Sequence, residues 1–172
     1  MTRKRVCYRK PARASTAAQR GVRRQLDMLP LNIRVASWLG AECLSHYAAD
    51  RGIDDRELSE FCDYIQLLID ADDVGEWDAK GASLQITGLG DPLPVHLDSG
   101  ELHRLVGVVR EISASQIYGR YNPEEVRSFL TDAVRISNID LSHYNLQAMR
   151  EIEPSDGWGS PISESEKRGF LK

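Results

Sequence analysis

A chain of 172 residues, 41% hydrophobic and 28% charged, has the size and mixture of one globular domain, which excludes wholesale disorder. Its apolar runs fall far short of the ~20 residues of a spanning helix, and its three scattered cysteines, Cys7, Cys43 and Cys62, offer neither a disulfide framework nor a zinc-ligand spacing. The net charge of −4 hides an asymmetry, because residues 1–27 carry nine Lys/Arg against one acid, a net of +8, and leave −12 to the rest.

The basic arm consists of Arg3, Lys4, Arg5, Arg9, Lys10, Arg13, Arg20, Arg23 and Arg24 in a stretch whose first 14 residues show no apolar periodicity. Disorder or loose docking is expected there. Residues 15–29 read as a short helix with Val22, Leu26 and Leu29 inward, stopped by Pro30, which pushes its predecessor out of the helical region. Three readings are open for the arm. It is a solvated tail, or an extension upstream of a domain starting at Met28; it is a polybasic segment gripping nucleic acid or acidic lipid, with only Tyr8 for stacking; or it is an Arg-rich transit peptide. No apolar stretch follows the charges, so it is not a secretory signal.

Residues 28–172 read as a single helical domain with an irregular tail from about 154. The segment 31–50 predicts a long helix with apolar groups around most of its circumference, among them Val35, Trp38, Leu39, Cys43 and Tyr47, so it should be central. Arg51-Gly52 ends it, glycine being usual just beyond a helix C-terminus. His46 shares the apolar side and reads as a packing residue rather than a ligand. Glu42 falls inside this helix as a carboxylate either raised in pKa by burial or bridged to Arg104 or Arg110.

The segment 54–70 gives the clearest pattern in the chain. Leu58, Phe61, Cys62, Ile65, Leu68 and Ile69 recur at three- and four-residue steps on one stripe, and Asp54 stands three residues before Glu57 in a capping-box spacing. With the helix before it, this makes an αα-hairpin. Residues 70–78 then form the most acidic run, read as a solvated loop or as a recognition rim of Asp70, Asp72, Asp73, Glu76 and Asp78 around an aromatic anchor, Trp77. A calcium loop fails on chemistry, since Val74 and Gly81 stand where the fifth and twelfth ligands belong.

Glycines and prolines at 88–94 break any helix through the following crossover, and 83–87 reads as extended loop because no second strand exists to pair it. Asp98 or Ser99 caps the next helix, which carries Leu102, Leu105, Val106, Val109, Ile112 and Ile117 inward, has Arg104 and Arg110 on its polar face, and closes near Gly119. Asn122-Pro123-Glu124-Glu125 is a strong helix start, followed by the stripe Val126, Phe129, Leu130, Ala133 and Val134, with Asn138 as the stop. A shorter helix at 142–151 completes the count. The fold class is all-α, an antiparallel bundle of about five helices with one long irregular crossover.

No nucleophile stands beside a base, no carboxylates pair in an apolar setting, and Gly88-x-Gly90 lacks the third glycine of a nucleotide fingerprint. The chain reads as a non-catalytic, cytoplasmic protein-binding module with no cofactor and no metal. Its segments Glu76-Trp77, Gly88-Leu89-Gly90-Asp91-Pro92-Leu93-Pro94 and Gln116-Ile117-Tyr118-Gly119 resemble those of the small bacterial immunity proteins encoded beside polymorphic or contact-dependent toxins, over residues 31–150. That resemblance implies stoichiometric inhibition, in which an acidic surface covers a basic toxin, often a nuclease, with Asp70, Asp72, Asp73, Glu76, Trp77 and Asp78 as contacts. The basic arm departs from that pattern. Two alternatives stay open: a nucleic-acid-associated accessory protein that grips phosphate through the arm, and a small-molecule-binding helical domain or enzyme.

Overall fold

The computed structural model describes residues 21, 24, 26, 32–97, 99–114, 122–152 and 158–172. Among these the protein is all-α, with seven helices and no strand. The first, α1 (Ile33–Asp50), packs against α2 (Arg56–Gln66), α4 (Gly100–Ala114) and α5 (Pro123–Ser137), and α4 packs against α5. The central position predicted for α1 follows from its nearly all-round apolar surface. Gly40 gives α4 its approach, since a Cβ there would meet the side chain of Ile112 at 3.3 Å. Asn32 starts α1 by accepting the N–H groups of Arg34 at 2.9 Å and Val35 at 3.5 Å.

All six stripe residues predicted for the second helix are buried, with Phe61, Ile65 and Leu68 fully so. The cap is one residue later than the spacing suggested. Asp55, not Asp54, accepts Leu58 N–H at 2.8 Å, and His96 Nε2 fastens its other oxygen at 2.7 Å. The helix tightens into a 3₁₀ turn at Leu67–Ile69.

The acidic run is a loop only as far as Asp73 and helical beyond it. Asp73 caps α3 (Val74–Gly81) by accepting Glu76 N–H at 3.0 Å, and Glu76 stands in a first turn that favours negative charge. The crossover after it is irregular, as the breaker cluster required, and contributes Ile86, Leu93 and Leu97 to the core. Gly88 is obligatory there: its φ is +72°, and a Cβ would lie 2.6 Å from the Cβ of Arg110. Ser99 caps α4 through Leu102 N–H. Residues 115–121, with the expected helix end at Ile117–Gly119, and Asp98 lie outside the described residues.

Asn122 and Pro123 open α5 and left-handed Asn138, at φ 56°, closes it. The last predicted helix is shorter than its pattern: a 3₁₀ turn at Leu141–His143 precedes α6 (Leu146–Glu151), which Asn145 caps. The tail contains a further helix, α7 (Glu164–Arg168), opened by a capping box between Ser163 and Glu166. Phe170 is fully buried, and Ile162 N–H donates to the Ile69 carbonyl at 2.8 Å. This holds α7 against the end of α2. Leu26, expected to face inward, is fully buried in the main core, so that core reaches upstream of a boundary at residue 28.

Candidate functional site

Between 54 and 78 the chain carries ten acids and one base, Arg56, a net of −9. Folding places these charges on α2 and α3, whose apolar sides face the core, and on the short segments that lead into each, with Asp54 and Asp55 before α2 and Asp70, Asp72 and Asp73 before α3. Asp54, Asp63, Asp72 and Glu76 are exposed and engage in no ion pair among the described residues. Asp70 is exposed as well, held by Lys167 Nζ at 2.8 Å. Lys167 also meets Glu164, and these hydrogen bonds raise its pKa despite the opposing effect of burial.

Trp77 does not form the exposed anchor expected of it. The indole is 2% exposed, stacks on Tyr64 at 4.6 Å with 4° between the planes, and donates its N–H to the Tyr64 carbonyl at 2.7 Å. A large ring with one donor gains more from such a pocket than from water. Behind the stack lies Arg110, which the helical pattern put on the polar face of α4 and which is buried instead. Its guanidinium sits 5.4 Å from the Tyr64 ring and 5.5 Å from Trp77, donates to the Tyr64 hydroxyl, and pairs with Asp78 at 3.0 Å. Asp78 is therefore half-buried and committed to the fold. Gly81 is required beside this stack, because a Cβ would fall 2.4 Å from the Tyr64 hydroxyl. Of the six expected contacts, Asp70, Asp72, Asp73 and Glu76 are exposed, while Trp77 is buried and Asp78 half-buried against Arg110.

Arg34 fixes the same region from the other side. Buried at the start of α1, it donates to the carbonyls of Leu68 at 2.5 Å and Ala71 at 2.9 Å, and to those of Trp158 at 2.8 Å and Gly159 at 3.3 Å. Burial lowers its pKa, and the nearby Asp70 and Asp72 partly offset that effect. One cation so ties the end of α2 to the tail. Nothing in the spacing of the sequence distinguished Arg34 from a surface arginine.

Glu42 has neither expected arginine. Arg104 pairs with Asp132 and Arg110 with Asp78, whereas Glu42 accepts Gln66 Nε2 at 3.0 Å and the Tyr144 hydroxyl at 3.3 Å. Burial raises its pKa, which the Tyr144 hydrogen bond partly counters. Tyr144 is raised in turn, by burial first and then by the Glu42 charge.

His46 is exposed rather than packed. Cys43 and Cys62 are free and buried as expected, their thiols pushed up by burial to about 12 and about 11, values that leave them unreactive. Of the nine basic arm residues only Arg24 lies among the described residues, and it is exposed. Among the described residues no group of three or more His, Cys, Asp or Glu could hold a metal ion, and no helix is long and apolar enough to cross a membrane. No protein-family model matches the chain, and no curated protein or solved structure matches it either.

Proposed function

We propose that this chain is a non-catalytic protein-binding module that docks a basic protein on the acidic face of α2 and α3, in the manner of an immunity protein covering its toxin. The observation that carries this reading is the surplus of carboxylates: Asp63, Asp72 and Glu76 are exposed and have no ion-pair partner among the described residues. Like charges gathered without ion-pair partners repel one another and add little to the fold, but they steer and hold a partner of opposite sign. The face is also stiff. Trp77 and Arg110 hold α3 from below and Arg34 holds the α2 end, so docking orders little backbone.

The test is co-expression with the product of the gene adjacent to its own. Growth should be restored by a 1:1 complex, and the double reversal Asp72→Lys/Glu76→Lys should abolish protection while the protein stays folded, its melting temperature falling by no more than a few degrees as the α3 first turn and Arg34 lose a favourable charge. Removing residues 1–20 should leave protection intact; the cut stops there because Leu26 is buried in the core. Protection unaffected by the double reversal would contradict the reading.

A further inference from the structure

Where α1, the end of α2 and α7 meet, a groove of about 330 Å³ opens. Trp38, Leu67 and Ile69 give it apolar walls, and Asp63, Gln66 and Asp70 give it a polar edge. Its volume lies at the small end of ligand sites, about 300–1,000 Å³, which suits one inserted side chain.

Three features define that side chain. The first is charge: Asp63 has no ion-pair partner among the described residues, and Glu42, just behind Gln66, is held by two neutral donors, an amide and a phenol. The groove's own cation, Lys167, is already divided between Asp70 and Glu164. Negative charge therefore remains uncompensated at the polar edge. The second is the aromatic wall, as half-buried Trp38 packs on Tyr144 at 6.0 Å and Phe170 at 5.4 Å while lining the groove. The third is Leu67, 49% exposed in the wall, which offers an apolar strip for an aliphatic stem. A planar, weakly hydrated cation on a three-carbon stem meets all three, because a guanidinium both stacks on a ring and forks onto carboxylates, whereas an ammonium holds its water more tightly. The protein already makes this arrangement within itself: the Arg51 guanidinium lies 3.6 Å over the Tyr47 ring and pairs with Asp50.

We infer that this groove receives an arginine side chain of the basic partner, stacked beside Trp38 and hydrogen-bonded to Asp63 and Gln66. The inference rests on the docking role of the acidic face and names the pocket in which that docking is anchored, the place wrongly expected of Trp77.

The experiment is an NMR titration of the full chain, at constant ionic strength, with acetyl-arginine-amide and with acetyl-citrulline-amide, which has the same shape but no charge. The arginine probe should shift the Trp38 indole and Gln66 side-chain resonances saturably, the citrulline probe should bind at least about tenfold more weakly, and Asp63→Asn should weaken the arginine probe about threefold or more. Equal response to both probes, or arginine shifts spread over Asp54, Asp72 and Glu76 with Trp38 unmoved, would overturn the groove assignment. Either result leaves the docking reading standing, since Asp72 and Glu76, on which it is tested, lie outside the groove. Conversely, a complex indifferent to Asp72→Lys/Glu76→Lys removes the docking reading whatever the probes do at Trp38.

Discussion

Two parts of this bundle bury apolar stripes against the same central helix and treat charge in opposite ways. The α4–α5 hairpin, residues 100–137, has five acids and five bases. Three of the bases are neutralised within it, Arg104 and Arg135 both meeting Asp132 and Arg127 meeting Glu124 at 2.8 Å, while Arg110 reaches out to Asp78 and Glu101 meets Arg51. The segment 54–78 has ten acids and one base, and much of its charge meets nothing within the described residues. Since burial of a stripe is enough to place an amphipathic helix, the difference teaches that the exposed carboxylates without an ion-pair partner among the described residues, such as Asp63 and Asp72, are not what places α2 and α3. What α3 does use for the fold is hidden beneath it.

The sharpest way to break that comparison is at Trp77. If the ring is core, as its burial requires, Trp77→Ala should cost about 3–5 kcal/mol in urea unfolding. A ring free to serve as an exposed docking anchor would cost almost nothing. Smaller, and of informative sign, is Glu42→Gln. Because burial raises the folded pKa of Glu42, the native state holds that proton more tightly than the unfolded chain. Stability must then fall as pH rises from the usual carboxylate range to the raised value, and the loss persists at neutral pH. Glutamine can keep both hydrogen bonds, accepting from Gln66 and donating to Tyr144, so the variant should flatten that slope and match or exceed the wild type at pH 7. Asp55 titrates in the opposite sense. Its pKa is lowered by the His96 hydrogen bond and by the capped Leu58 N–H, so its contribution is lost as pH falls. The effect of Glu42 is therefore read as the difference between wild type and variant across a pH series of unfolding midpoints. The smallest effect belongs to the triple change Asp63→Asn/Asp72→Asn/Glu76→Gln, which should leave unfolding free energy within about 0.5 kcal/mol or raise it slightly. In the hairpin, Asp132→Asn removes the charge and one of the two oxygens that two arginines share and should cost up to about 1 kcal/mol.

How much of this was legible in the sequence depended on length and on separation along the chain. The stripes of α2, α4 and α5 repeat over three or four turns, and their burial followed the 3.6-residue period. The eight-residue α3 has one large apolar side chain and so no period; its only signal was a cap, Asp73 three residues before Glu76, hidden in a run of acids. The five-residue α7 was announced only by Ser163 and Glu166. Arg110 was misplaced because a buried arginine and a surface one look alike until the partners Tyr64 and Asp78 come from other helices. The groove is assembled from Trp38, Gln66 and Lys167 on three elements far apart in sequence, and no local pattern could gather them.

The central claim is that the carboxylates left over by the fold belong to a partner. Isothermal titration of the protein and of its Asp63→Asn/Asp72→Asn/Glu76→Gln variant into the protein encoded by the adjacent gene tests it directly. The account predicts at least about a tenfold loss of affinity, about 1.4 kcal/mol, with unfolding unchanged and with a wild-type affinity that falls as salt rises. Equal affinity for wild type and variant, independent of salt, would contradict it.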